Sequence, residues 1–228
     1  MHVGIIPDGN RRYMKKTGIV DLEQAYRLGI DCFYNTIEWC DDLGIDEVTI
    51  YTLSLENLKN RSTEELFILM NLFAENTLRV LKDERMHKRK VKVSICGNRD
   101  YLVEFFGEKG VNLNQKFNKL ENKTHQYDGM KLNLAIAYGG RQEIINACQR
   151  IQNNGGEFSE EAIQEHLWIK SYPDIIIRTS ESRLSNFLLW QSAYSELYFV
   201  DKLWEEFARE DLVKVLKDFK DRDKRYGR

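Results

Sequence analysis

Six short apolar runs punctuate the chain, and amphipathic stretches separate them. HVGIIP at 2–7 reads as a buried strand, EVTIYTLS at 47–54 as a second and VKVSICG at 91–97 as a third. KLNLAIAYGG at 131–140, DIIIR at 174–178 and ELYFV at 196–200 supply three more. Continuous apolar runs of this length fit strands covered on both faces. Between the first two, Leu22, Ala25, Tyr26, Ile30, Phe33, Ile37 and Cys40 recur at helical spacing, and Gly44 reads as the stop. Ser62 followed by Glu65 is a capping-box pattern, and it opens a helix expected to run to about 88. Residues 99–128 read as two helical pieces, 141–153 as a helix ended by NNGG, 159–168 as a short helix capped by Ser159, and 210–223 as the last helix. DGN after the first strand reads as a tight loop and ENLKNR after the second as a polar one. A short helical stretch is expected between Ser185 and Glu196.

Strands that alternate with helices predict an α/β fold: one domain over 1–228, with a mostly parallel six-stranded sheet flanked by helices. In such a sheet the ligand crevice lies at the carboxyl ends of the strands. Asp8, Ser54, Arg141 and Arg178 all fall at expected strand ends.

Composition narrows the class. The 228 residues are 42% hydrophobic and 31% charged, as in a water-soluble globular protein. A net charge of −2 gives no global field for nucleic acid, so local arginine clusters point to small anions. The four cysteines lack CxxC spacing, which argues against a zinc site and fits buried thiols in a reducing compartment. No apolar stretch has the length of a membrane span, and no secretory leader is expected before the first strand.

Several chemistries lack their motifs. GxGxxG, GxxxxGK[ST] and GxSxG are absent, which disfavours dinucleotide, P-loop and hydrolase readings. His87, His125 and His166 read as surface or packing residues, and His2 as a half-buried strand-end residue. Two arginine-bearing ends remain. Arg178 and Arg183 follow an apolar run with Ser185 beside them, and Asp8, Arg11 and Arg12 follow the first strand. Guanidinium groups with a hydroxyl at a strand end suit phosphate, and a carboxylate suits a divalent metal that shares those phosphates. A local ion-pair network is the alternative for the arginines, and a plain turn aspartate for Asp8.

HVGIIPDGNRR (2–12), YTLSLENLKNR (51–61), LNLAIAYGGRQEI (132–144), DIIIRTSESRLSNFLLWQSAYSELYF (174–199) and RDKRYG (222–227) together resemble the cis-prenyltransferases, the family of undecaprenyl diphosphate synthase. The resemblance runs through nearly the whole chain, and the SNFLLWQSAYSELYF stretch is highly specific. It implies a homodimer and a hydrophobic tunnel walled by the sheet and two helices. It implies magnesium-dependent condensation of an allylic prenyl diphosphate with isopentenyl diphosphate, adding units in cis. Asp8, Asn10 and Ser54 match catalytic residues, with Asn10 and Ser54 near the departing proton. Gly9, Asn10, Arg11, Arg12 and Arg61 match the allylic diphosphate site. Arg178, Arg183, Ser185, Arg225 and Gly227 match the isopentenyl diphosphate site, the last two completing the partner subunit's pocket. Asp8 and Glu196 match the magnesium ligands, Glu196 near the dimer interface.

The chain departs from the family pattern around both diphosphates. Asp21 and Tyr26 stand near the places of a usual arginine and histidine, and Arg11 stands where many members have glycine. RTSESR is one residue short, and ENLKNR carries one extra. Arg11 or Arg27 is the expected substitute for the missing cation. Thr52, Phe67, Ile68 and Phe73 are expected to narrow the tunnel toward short or medium products. Two other readings stand beside elongation: prenyl transfer to a non-isoprenoid acceptor such as a phosphorylated glycerol, and a non-catalytic partner subunit, which the retained Asp8 argues against. The expected location is cytoplasmic, with a peripheral membrane contact for product release and no nucleic-acid partner.

Overall fold

The computed structural model describes residues 1–222, so Arg225 and Gly227 lie outside the described residues. Strand β1 (His2–Ile6) is followed by helices α1 (Asn10–Thr17) and α2 (Leu22–Asp42). Strand β2 (Glu47–Ser54) leads to α3 (Leu55–Asn60), α4 (Thr63–Lys82) and α5 (Glu84–Lys88). Strand β3 (Lys92–Cys96) precedes α6 (Asp100–Phe106) and α7 (Glu108–Thr124), and β4 (Lys131–Tyr138) precedes α8 (Gly140–Asn153) and α9 (Glu160–His166). Strands β5 (Ile175–Thr179) and β6 (Glu196–Val200), a 3-10 turn at Trp204–Glu206 and α10 (Arg209–Asp221) complete the order.

All six strands are parallel, in the order β3-β4-β2-β1-β5-β6. Every residue of β1 and β5 is buried, as their unbroken apolar runs require of central strands with helices on both faces. The edge strand β6 is different: Leu197 and Phe199 alternate outward and are each 43% exposed.

Four local expectations need correction. The DGN turn does not continue as a loop, because Asn10 opens α1; Tyr13 N donates to the Gly9 carbonyl at 2.7 Å and starts the helix. ENLKNR is likewise helical, since the Ser54 hydroxyl accepts from Asn57 N at 3.0 Å and caps α3. The helix opened by Ser62 ends at Lys82 rather than 88. Asp83 closes α4 with its backbone and caps α5 through its side chain, so one residue serves both ends. The segment between Ser185 and Glu196 is a series of turns, not a helix. Ser185, Asn186 and Leu188 there hold positive φ of 48°, 63° and 45°, which no helix accommodates.

Candidate active site

Strands β1 and β5 are neighbours in register, with Ile6 opposite Arg178. That pairing brings two distant segments to one edge of the sheet. Asp8 follows β1, and its backbone is locked to β5 twice. Asp8 N donates to Thr179 Oγ1 at 2.9 Å, and that hydroxyl donates to the Asp8 carbonyl at 2.8 Å. The carboxylate takes Arg178 Nη2 at 2.8 Å and Arg12 Nη2 at 3.0 Å. Gly9 sits at φ 124°, and a Cβ there would lie 2.9 Å from Leu203 Cδ2, so only glycine fits this turn. Asn10 then packs into α2, where a Cβ on Gly29 would collide with Asn10 Nδ2.

Arg178 is only 4% exposed. Its Nη1 donates to Ser185 Oγ at 2.5 Å and to the Arg183 carbonyl. Its Nε is buried without a partner. Glu181 accepts from Arg178 at 3.4 Å and Arg12 at 3.2 Å, and it also pairs with Arg183. One carboxylate thus answers three guanidinium groups. The loop that carries these residues is pinned from both sides. Asn186 Nδ2 donates to Glu56 at 2.8 Å, its side-chain oxygen accepts from Arg141 N at 2.9 Å, and its carbonyl accepts from Gly140 N at 2.7 Å. Backbone strain at Ser185 and Asn186 is held in place by these contacts.

A cavity of about 450 Å³ opens beside this cluster. Asp8, Asn10, Arg11, Ser54, Asn57, Arg61, Arg178, Glu181, Arg183 and Ser185 line its polar end. Its depth is apolar: Ile30 and Phe33 of α2, Leu69, Leu72 and Phe73 of α4, Phe117 and Leu120 of α7, and Ile50, Leu134 and Ile136 of the sheet. The α4 positions Leu69, Leu72, Phe73, Asn76, Thr77 and Val80 form one helical stripe. From Leu69 to Val80 that stripe is ~16 Å long at 1.5 Å per residue.

The predicted residues are therefore mostly assembled. Gly9 and Arg12 adjoin the cavity through Asp8 and Glu181 rather than lining it. Arg27 is turned outward, donating to Glu23 and Glu75, and does not replace a cavity cation; Arg11 does line the cavity. Arg141 lends its backbone N–H to Asn186 and is exposed. Of the residues expected to narrow the tunnel, Phe73 and Thr52 line it. Phe67 faces away, against Phe106 at 6.1 Å.

Glu196 is apart from Asp8 within the chain. It opens β6 opposite Ile175, three residues before the Phe199–Arg178 pair, which is ~10 Å along the strand. It accepts from Tyr198 Oη at 3.0 Å and faces Arg222 at 3.5 Å. Among the described residues no group of three or more His, Cys, Asp or Glu could hold a metal unaided. A hard divalent cation needs no such cage if diphosphate oxygens supply most of its ligands, and the part-exposed Asp8 carboxylate suits that arrangement.

Sequence reasoning missed Glu181, Asn57 and the pairing of Tyr26 with Glu65 and Arg61. Asn57 had a signal, three residues after the capping Ser54. Glu181 had one too, as the acid between Arg178 and Arg183 in RTSESR.

The family model described as putative undecaprenyl diphosphate synthase matches residues 6–227. The tritrans,polycis-undecaprenyl-diphosphate synthase (geranylgeranyl-diphosphate specific) of Methanopyrus kandleri is 43% identical over 237 residues, covering 100% of this chain and 84% of that protein. An isoprenyl transferase of Thermus thermophilus is 39% identical, covering 100% and 88%. The crystal structure of lavandulyl diphosphate synthase from Lavandula x intermedia with dimethylallyl diphosphate superposes with a TM-score of 0.87 at 30% identity, covering 100% and 98%. A probable undecaprenyl diphosphate synthase from Campylobacter jejuni gives 0.81 at 27%, with the same coverage. With an arginine cluster beside a largely apolar cavity, on this fold and with these relatives, the chain belongs to the undecaprenyl diphosphate synthase family and is a cis-prenyltransferase that extends an allylic prenyl diphosphate.

Proposed function

We propose that the chain elongates geranylgeranyl diphosphate with isopentenyl diphosphate, adding each unit in cis. One observation carries the reading: Asp8 and Arg178 meet at 2.8 Å in the wall of a cavity that is otherwise largely apolar-lined. The primer is taken from the relatives whose names specify geranylgeranyl diphosphate. Relatives matched across the chain's full length are named undecaprenyl-diphosphate synthases, which gives no support to transfer onto a phosphorylated glycerol or to a non-catalytic subunit.

Arg11, Arg12 and Arg61, with the Gly9–Asn10 turn, hold the allylic diphosphate. Their positive charge stabilises the pyrophosphate as the allylic C–O bond breaks and both electrons leave with oxygen. Arg178, Arg183 and Ser185 hold isopentenyl diphosphate so that its terminal double bond faces the allylic carbon. The π electrons form the new C–C bond, and the acceptor then loses a proton in the neighbourhood of Asn10 and Ser54. The apolar walls keep water from the cationic carbon. Magnesium, held by Asp8 together with the diphosphate oxygens, supplies further charge neutralisation when bound.

A homodimer through the open edge of β6 is the assembly we infer, supported by the exposed Leu197 and Phe199 on that strand and the 86%-exposed Tyr194 in the turn before it. In that assembly Glu196, which opens β6, belongs to the partner-facing side. No helix among the described residues is long and apolar enough to cross a membrane, so contact with a bilayer is proposed as peripheral only.

Labelled isopentenyl diphosphate incubated with magnesium and C10, C15 or C20 allylic primers tests the reading. Incorporation should be greatest with the C20 primer. No incorporation with any primer would overturn it.

A further inference from the structure

Tyr26, Arg61 and Glu65 form a triangle at the cavity's rim. Tyr26 Oη donates to Glu65 Oε1 at 2.5 Å and accepts from Arg61 Nη1 at 3.0 Å. Arg61 Nε lies 3.4 Å from the same glutamate oxygen, and the guanidinium carbon is 5.8 Å from the centre of the phenol ring. Tyr26 and Glu65 are both buried. Tyr26 and Arg61 line the cavity, whereas Glu65 stands behind them.

The three come from different walls. Tyr26 belongs to α2, Glu65 to the first turn of α4, and Arg61 to the one-residue corner between α3 and the Ser62 cap of α4. A corner arginine with a long side chain has many rotamers, and fixing one costs entropy. Here the phenol and the carboxylate fix it in advance. They do not saturate it: Nη1 is taken by Tyr26 and Nε is turned to Glu65, which leaves Nη2 outside the triangle. The guanidinium is therefore held but still has donor capacity, on the same rim as Asn10, Arg11 and Asn57. Burial and the Glu65 carboxylate raise the phenol's ionisation far above neutrality, so Tyr26 keeps the proton it donates to Glu65.

We propose that Tyr26 and Glu65 are positioning residues that hold Arg61 ready for the diphosphate of the allylic substrate. This rests on the elongation reading for the identity of that substrate. Tyr26 acts through Arg61 and touches no reacting atom. A change at Tyr26 should matter only while Arg61 is present.

A double-mutant cycle decides the matter. Binding of a non-reactive allylic thiolodiphosphate to the full-length protein is measured by calorimetry for wild type, Tyr26→Phe, Arg61→Ala and the double variant. Loss of one hydrogen bond to a charged group predicts a roughly tenfold weakening for Tyr26→Phe. The same change on the Arg61→Ala background should alter affinity by less than about twofold, because the interaction it removes is already gone. Glu65→Gln, which keeps an acceptor for the phenol, should weaken binding less than Glu65→Ala. It also carries the cycle if Tyr26→Phe does not fold. Equal weakening by Tyr26→Phe with and without Arg61, or no weakening at all, overturns the proposal. Because the readout is equilibrium binding, an enzyme that binds the analogue yet elongates no primer would sink the elongation reading and leave this cycle decisive.

Discussion

Arg178 Nη2 and Asp8 Oδ2 lie 2.8 Å apart although 170 residues separate them in the chain. The contact exists because β1 and β5 are adjacent and parallel, so both segments end at the same edge. Asp8 is 29% exposed and faces the cavity, while Arg178 is almost wholly buried behind it. Replacing Asp8 by Ala should leave Arg178 tied to Ser185 and Glu181, so the fold survives. Turnover should fall by about 10²–10³-fold or more, the scale of losing one preorganised electrostatic group. Circular dichroism and initial rates check both halves; a variant within tenfold of wild type would remove Asp8 from the machinery.

Glu181 gives a prediction of opposite sign. Its carboxylate occupies Arg12, Arg178 and Arg183 together, the position an incoming diphosphate would compete for. Glu181→Gln keeps the shape and removes the charge. Pyrophosphate should then bind the metal-free protein severalfold more tightly, with a steeper salt dependence. Weaker binding would show instead that Glu181 orients the arginines.

Two polar side chains, Tyr34 and Asn76, also line the cavity among its apolar walls. Tyr34 Oη donates to Asn76 Oδ1 at 3.2 Å, Asn76 returns its amide to the Leu72 carbonyl at 2.8 Å, and Arg79 lies over the Tyr34 ring at 4.4 Å. Burial lifts the phenol's pKa to about 12, so it remains neutral. Tyr34→Ala should let chains grow longer, read as a shift in the product ladder on chromatography. Phe67→Ala should leave the ladder unchanged, because Phe67 packs outside against Phe106. The reverse pattern would place the floor on the other face of α4.

Glu205 makes stability depend on pH. Both its carboxylate oxygens are buried without partners, and burial, reinforced by the Glu206 charge, lifts its pKa from 4.5 to about 7. Between those values the unfolded chain releases a proton that the folded protein keeps. Stability from this group therefore falls as pH rises from 4.5 to 7 and is lost above. Glu205→Gln should raise the melting temperature at pH 8 by a few degrees and leave it nearly unchanged at pH 4.5. An equal effect at both pH values would mean that packing, not ionisation, is responsible.

The strands were legible because each is a short, mainly apolar stretch between polar or amphipathic ones; β2 falls at 47–54, as its pattern indicated. Helices α1 and α3 were not, because NRRYMKKT and LENLKN carry too few apolar positions to show a period. They are set by capping contacts and by docking on α2 and β4. The break after Lys82 has no glycine or proline to mark it; Asp83 makes it by capping in both directions. In the site, residue types at strand ends pointed to Asp8 and Arg178, and the structure brings these two together. What no one-dimensional pattern held was facing: Arg27 and Phe67 look eligible in sequence, and each points away from the cavity. The same blindness hid the brace of Tyr26 and Glu65, whose partners meet only when α2 and α4 lie side by side.

Helix α2 has a notch at Gly29, and Asn10 fills it. The turn after β1 is thereby keyed into one wall of the cavity, which Gly29 and Asn10 both line. Any side chain larger than hydrogen at position 29 would push Asn10 out of that notch and displace the turn that carries Asp8.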